Sequence, residues 1–575
     1  MAKAPNNPSL VSSDRITRSL SWVMIALTAT TLTWLINGLN RIFELTDESF
    51  YLLSALHADS VRLFFSPTHW VSGALWQATQ SLVAFRALGL GLAVASSIVL
   101  AWGALNVAPR VGLVLAGGRL NQAAVLAASI SGALLYGSLL SFTPSYNLLG
   151  ASGAYLATGL GLLSIADERV GRARLLAVLA GITLGITVLC KFSTGVCTAG
   201  LLLVLQGAIT WKQPGRRIDS FLMLMCAVAT VGAAALWKTG IEEATRQFGA
   251  GVDIVWFAQG DKATSSRVIR SALDIGGMLT GVVTSFWGPL ALFALGSFWR
   301  PIIMGCMGAA FFALLLATGD HLTAGVSRFG VQALPLAASL CMVLLINIRQ
   351  WCRNAGSLFM VLALAALPLA IALGTGNPLQ IQILTALAPW GVLIGLTAIS
   401  RPHTGLPSAL ISAMFCLTVL LQTVSNSVEP YRLRSLSEQT ETVTIPRLGS
   451  IQVDTGTAAL VRDMKRAAEV CGIKPGTPFL DFYNLPAVAL MIKAVPVDSP
   501  WLLDPDYAAI ALKRADPITL RSSAVAVKLD EKGNFPRPPK QLATFPAGFK
   551  LCGSSRGPVD GLPIQLWAPQ AGTAN

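Results

Sequence analysis

Two adjacent carboxylates, Asp47 and Glu48, stand a few residues beyond the first long apolar run of this 575-residue chain, in the stretch RIFELTDESFYLLSALHADS from Arg41. Ionised groups are costly beside hydrocarbon, so an acid pair placed there calls for a reason. A structural reason is available: Thr46 caps a short helix from Asp47 to Ala58, with both acids in the first turn, where the helix dipole favours them. A chemical reason is compatible with it. Consecutive helical residues point about 100° apart, so the two acids do different jobs. Asp47 shares a face with Tyr51, four residues on, while Glu48 faces elsewhere. An aspartate in a partly desolvated cleft binds protons more tightly than in water and suits the work of a general base.

The elements that must position this pair are read from hydropathy. The chain is 53% hydrophobic and 12% charged, with a mean hydropathy of +0.62. Soluble proteins carry about 25% charged residues, so most of this chain faces lipid. Apolar runs long enough to span are Leu20–Leu39, Leu82–Trp102, Gln122–Ser141, Leu148–Ala166, Leu175–Cys190, Gly195–Trp211 and Ile218–Trp237. Ala272–Trp299, Pro301–Thr318, Gly330–Ile348, Ser357–Leu373, Gln380–Ile399 and Pro407–Val424 complete the set. That predicts a mainly α, polytopic membrane protein of about thirteen transmembrane helices. No small-x-small cleavage site follows the first run, so it is expected to stay as a span.

The net charge of +14 is spread over short loops between spans, a topology-setting pattern and not a phosphate-tracking patch, so no nucleic-acid partner is expected. Loops bearing Arg110 and Arg119, Arg169 to Arg174, Lys212 to Arg217, Arg300, Arg349 and Arg353, and Arg401 alternate with nearly uncharged ones such as "SFTPSYN", "GDHLTAGVSRFG" and "GTGNPLQ". Basic loops stay cytoplasmic, which places the N-terminus inside and Asn40–Ser81 and Lys238–Arg270 outside. An odd number of spans exports the C-terminus. Residues 1–424 are thus expected to form the membrane region, and 425–575 a small periplasmic α/β domain of a bacterial inner-membrane protein. In that tail GTAALVRDMKRAAEVCGI has helical spacing with Gly472 as its stop. TPFLDF and SSAVAVKLDEKGNF read as strands, and LPAVALMIKA as a second helix. Seven of the nine cysteines sit in or beside apolar runs, while Cys471 and Cys552 lie in the tail, where export would permit a disulfide.

Outside the cytoplasmic membrane there is no supply of nucleotide-activated sugar, so group transfer there needs a lipid-linked donor with its phosphate at the headgroup level. An acceptor hydroxyl would lose its proton to Asp47, and the departing phosphate would need a cation or a metal. Cationic candidates are Lys191 in "CKFSTG", Arg86 one turn into the second span, and Arg328 in "GVSRFG". A snorkelling lysine explains Lys191 equally well, and an intramembrane Arg86 must find a phosphate or a carboxylate. Arg62 belongs to a solvated loop face. His69 and His321 fall in outer loops, where either could hold a divalent ion (Mg2+ or Mn2+) together with an acid, although isolated histidines without ligand spacing are usually plain surface residues. DFYNLP in the tail either shapes the acceptor entrance or is a strand-to-helix turn.

The acid pair with its aromatic in "DESFY", "FRALGL" opening the second span, "TPSYNLLG" on the outer side and "LAGITLGITVLCKFSTG" ending the fifth resemble the signature of the GT-C glycosyltransferases. That superfamily includes protein O-mannosyltransferases and lipid A aminoarabinose transferases, the latter with thirteen spans and a periplasmic α/β domain. No WWD stretch is present, so the catalytic subunit of oligosaccharyltransferase is a poor match. The resemblance implies inverting transfer of a sugar from a polyprenyl-phosphate donor to a glycolipid, polysaccharide or protein acceptor. It implies Asp47 as base, Glu48 as an auxiliary or metal-orienting acid, and Tyr51, Tyr146 and Asn147 in the substrate cleft. A lipid-linked-sugar transporter or flippase would instead show charged or broken spans lining a midplane path, and a non-catalytic assembly subunit would be indifferent to Asp47.

Overall fold

The computed structural model describes residues 8–570 except 62–65, 116–117, 211–215, 259–263, 323–327, 375–376 and 401. Arg62, Lys212, Arg401 and the middle of the loops "GDHLTAGVSRFG" and "GTGNPLQ" therefore lie outside the described residues. Helix α1 (Pro8–Gly38) leads into α2 (Asp47–Leu56) and α3 (Thr68–Thr79). Then come α4 (Leu82–Val107), α5 (Arg119–Leu134), the short α6 (Tyr136–Leu139), α7 (Tyr146–Ala166), α8 (Val170–Cys190), α9 (Phe192–Thr210) and α10 (Arg217–Lys238). They are followed by α11 (Ile241–Ala258), α12 (Thr264–Phe298), α13 (Pro301–Thr318), α14 (Phe329–Trp351), α15 (Ala355–Ala372), α16 (Leu379–Gln382), α17 (Ala388–Ala398) and α18 (Pro402–Asn426).

The protein is a multi-pass membrane protein. Among the described residues twelve helices are long and apolar enough to cross a membrane, and Leu379–Ala386 with Ala388–Ala398, bent by 62°, bring the number to thirteen if that pair is counted as one broken span and not as a re-entrant loop. Each expected apolar run falls on one of these, with Gln380–Ile399 on the bent pair. Pro389 at the start of α17 lacks the amide that would continue the preceding turn, which accounts for the break there. In the absence of a hydrophobic drive between helices in lipid, close approach of backbones holds the bundle together. A Cβ on Gly103 of α4 would come within 2.4 Å of the Gly159 carbonyl of α7, so these helices meet backbone to backbone.

Beyond α18 the chain forms a hairpin of β1 (Glu441–Ile445) and β2 (Gly449–Val453), then α19 (Thr455–Val470). A second sheet, ordered β4-β3-β5-β7-β6, contains β3 (Pro478–Phe482), β4 (Val495–Pro496), β5 (Ala524–Lys528), β6 (Phe549–Arg556) and β7 (Pro563–Pro569), with α20 (Pro486–Ile492) between β3 and β4. Strand β3 runs parallel to β4 and β5, and β7 antiparallel to β5 and β6. Asp454 caps α19, Gly472 leaves it with φ +65°, and a Cys471–Cys552 disulfide ties its end to β6.

Three local expectations need correction. Helix α2 ends at Leu56 and not at Ala58. Thr46 does not cap it: the Thr46 hydroxyl donates to Glu44 Oε1 at 2.5 Å, and Glu44 itself takes over the capping. The segment expected as an outer loop after Leu56 contains α3, whose buried Thr68, Ser72 and Trp76 recur every four residues, a stripe too polar to read from hydropathy alone. Helices α2 and α3 share one core with the tail: Phe43, Leu52, Trp76 and Phe85 pack with Val443, Ile451, Leu460 and Val488. That core fixes the acid pair against the soluble region. The loops carrying Arg110 and Arg172 meet Glu168 and Asp167 at the other end of the bundle.

Candidate active site

Where the first span ends, the chain is clamped before it can wander. Arg41 turns back on Gly38, and Ile42, at φ +68°, donates its amide to Gln452 O of β2, while the Gln452 amide donates to Asn40 O, both at 2.8 Å. Six residues later α2 begins. Its first-turn amides are met by a residue that sequence reasoning passed over. Glu44 Oε2 accepts from the Glu48 amide at 2.6 Å and Oε1 from the Thr46 amide at 2.8 Å, so a carboxyl group stands where the orphan N–H groups of the helix need an acceptor. An acid four residues ahead of the second helical position was the available signal. Burial first, and the Asp47 charge second, push the Glu44 carboxyl up to about 8.

Glu48 and Arg86 find each other. The guanidinium Nε donates to Glu48 Oε1 at 2.7 Å and Nη2 to Glu48 Oε2 at 2.5 Å. Its three remaining N–H groups go to the carbonyls of Leu39, Arg41 and Ile42. Both side chains are almost fully enclosed, at 4% and 2% exposure. Burial alone would raise the Glu48 carboxyl, but the Arg86 charge and hydrogen bonds from Arg86, Thr143 and Ser141 hold it below its ordinary range. Arg86 therefore has a carboxylate partner, and all five of its donors are spent inside the protein. Of the two partners expected for Arg86, a phosphate or a carboxylate, the structure supplies the carboxylate: with Glu48 it pins the end of α1 to α4 and α2.

Asp47 has the opposite environment. It lies half-buried, and burial raises its carboxyl while a hydrogen bond from the Tyr431 hydroxyl lowers it, with a net upward shift. It faces a cavity of about 120 Å³ that is lined by two kinds of wall. Trp34, Leu35, Gly38 and Leu39 of the α1 end, with Leu139, Leu140 and Phe142, make an apolar side, and Trp34 is itself 40% exposed on the bundle surface. Glu44, Asp47, Glu48, Tyr51, Arg41, Arg86, Asn426 and Tyr431 make a polar side. The donors of Arg86 are spent on Glu48 and three carbonyls, whereas Arg41 Nη1 donates to Leu436 O at 3.2 Å and its Nε is buried with no hydrogen-bond partner among the described residues. Hydropathy singled out Arg86, inside a span, and passed over Arg41; which of the two Glu48 reaches is decided by the fold.

The remaining expected site residues are placed as follows. Tyr51 lines the cavity and meets Tyr146 edge to face, with ring centroids 5.7 Å apart. Lys191 is buried behind Tyr146, with its Nζ 5.7 Å from that ring, and donates to Asn147 Oδ1 at 3.2 Å and Ile371 O at 2.7 Å. Neither Lys191 nor Asn147 lines the cavity. Arg328 lies half-exposed beside Asp320 at 3.7 Å, away from it. His69 is enclosed on α3 against Trp70, and His321 lies on Phe286 with centroids 5.0 Å apart. The two histidines are not brought to the acids, and among the described residues no three His, Cys, Asp or Glu side chains assemble as metal ligands. In the tail, the DFYNLP turn is held by Asp481, whose carboxylate accepts from the Leu485 and Leu502 amides, and it does not reach the cavity lining.

No family model and no curated protein matches the chain. Among solved structures, the oligosaccharyltransferase of Archaeoglobus fulgidus in complex with zinc and sulfate is 13% identical, covering 89% of this chain and 72% of its own, with a TM-score of 0.43. ArnT from Cupriavidus metallidurans in the apo state is 15% identical, covering 95% and 97%, at 0.45. The archaeal oligosaccharyltransferase AglB from Archaeoglobus fulgidus, in complex with an inhibitory peptide and a dolichol-phosphate, is 8% identical, covering 93% and 80%, at 0.44. These are GT-C membrane glycosyltransferases, the superfamily that the sequence motifs resemble. At such identities and scores the likeness carries neither a residue role nor an activity to this chain.

Proposed function

We propose that the chain is an inverting glycosyltransferase that moves a sugar from a polyprenyl-phosphate donor to an acceptor hydroxyl at the periplasmic face of the inner membrane. The observation that carries this reading is the two-sided cavity at the end of α1, where Asp47 and Arg41 line the same space beside an apolar wall. An amphiphile with an isoprenoid tail and an anionic phosphate matches both walls. Asp47 takes the proton from the acceptor hydroxyl as its oxygen attacks the anomeric carbon. The anomeric carbon–phosphate oxygen bond breaks, the polyprenyl phosphate leaves with the electron pair, and Arg41 offsets the charge that builds on it. The proton on Asp47 then passes to water. No step is assigned to a metal, since the residues present do not assemble a site for one.

Cells lacking the chain, cells with the wild-type chain and cells with Asp47→Asn, compared by mass spectrometry of membrane glycolipids and polysaccharides, test the proposal. The wild-type chain should add one sugar mass to one class of acceptor. Asp47→Asn should insert and fold normally yet lower that product by about 10²–10⁴-fold, the usual worth of a general base. Undiminished product from Asp47→Asn would overturn it.

A further inference from the structure

The wall of the cavity opposite α1 is made by the segment that joins α18 to the tail. Ser427, Pro430, Tyr431 and Leu436 all line it. This segment closes on itself through the Leu436 amide, which donates to Ser427 O at 2.9 Å, and is tied to the α1 end by Arg41 on Leu436 O. At its tip Tyr431 has φ +54° and ψ +34°, a left-handed backbone that a bulky side chain seldom adopts. That backbone sends the ring inward, and the phenol donates its hydrogen bond to Asp47 Oδ2, 384 residues away in sequence.

On the reading that Asp47 is the base, we infer that Tyr431 is its positioning residue: its hydroxyl engages Oδ2 and leaves Oδ1 as the oxygen that accepts the acceptor's proton. A carboxylate free to rotate offers either oxygen in any direction. One held through Oδ2 presents Oδ1 as the oxygen with its acceptor sites free. A donor on the ionised form also keeps the base charged in a site whose burial favours the neutral form. The groups facing Asp47 from the surrounding elements are Glu44 and Tyr51 on its own segment, Tyr136 and Tyr146 from α6 and α7, and Arg41 at the α1 end. None of the hydrogen bonds found to the Asp47 side chain comes from these groups; Tyr431 supplies it.

Dicyclohexylcarbodiimide, which modifies protonated carboxyls in apolar surroundings, gives a readout that needs no substrate. Labelling of Asp47 in the full chain, reconstituted in nanodiscs, would be followed by peptide mass spectrometry across pH for wild-type and Tyr431→Phe. Phenylalanine keeps the ring and removes only the donor. Monodisperse elution with the Cys471–Cys552 bridge intact reports folding. The labelling midpoint of Asp47 should rise by about one pH unit, and the acid limb of the product-forming activity should rise with it, with kcat falling and KM unchanged. A midpoint that stays in place or falls overturns the inference. A raised midpoint together with full activity of Asp47→Asn keeps the Tyr431 contact and overturns the catalytic reading instead.

Discussion

At the scale of residues, three acids within five positions have been given three fates by their neighbours. All three line the cavity, but Glu48 is paired with Arg86, Glu44 is held against helix amides, and Asp47 takes the Tyr431 hydroxyl. Breaking one partner of an enclosed ion pair leaves the other uncompensated, at a cost of about 3–5 kcal/mol. Arg86→Met should therefore lower the thermal midpoint sharply, measured by unfolding in detergent. Arg41→Gln should leave that midpoint near wild-type and weaken binding of a polyprenyl phosphate about tenfold or more, measured by titration in nanodiscs. Equal loss of stability in both would contradict the division of roles. Glu44 adds a pH signature. Its carboxyl rises from an ordinary 4.5 to about 8 on folding, so the folded state takes up a proton and stability falls as pH climbs through that window. In Glu44→Gln the fall between about pH 5 and 8 should flatten, and a thermal-midpoint profile that keeps its slope would assign it elsewhere.

At the scale of elements, the site depends on short pieces held by long ones. Helix α2 has only ten residues and would be marginal alone. It persists because Leu52 and Leu53 are enclosed in the core it shares with β1, β2 and α19. The far side of that core is braced by the Cys471–Cys552 bridge, which closes a stretch of 81 residues. Cys471→Ser with Cys552→Ser should cost the tail about 2–4 kcal/mol. It should also make the wild-type shift in non-reducing mobility disappear. An unchanged unfolding transition would mean that the sheet needs no staple.

At the scale of the whole molecule, the proposed orientation follows from loops that carry arginines at one end and the acid pair with the sheets at the other. Cys352, exposed in the turn between α14 and α15 beside Arg353, reports on the arginine end. In sealed right-side-out vesicles an impermeant maleimide should leave Cys352 untouched while labelling Lys532→Cys in the tail. Inverted vesicles should reverse the pattern. Labelling of both from one side would refute the assignment of faces.

Sequence alone determined the spans, because a stretch of about twenty apolar residues has no other stable home, and each expected run became a helix or the bent pair. It also determined the tail's principal helices and two of its strands, whose periodicity and stop signals are local. The carboxylate pair was visible for the same reason, since its position after a span is a fact of one dimension. Tertiary structure decided everything that depends on who reaches whom. It gave Glu48 to Arg86, the carboxylate of the two partners expected for that arginine, and it left Arg41 lining the same cavity with fewer partners. It brought Tyr431 to Asp47, and it set His69 against Trp70 and His321 on Phe286. Hydropathy records which segments avoid water. The partners of a buried charge are set by a fold in which residues hundreds of positions apart share one hydrogen bond.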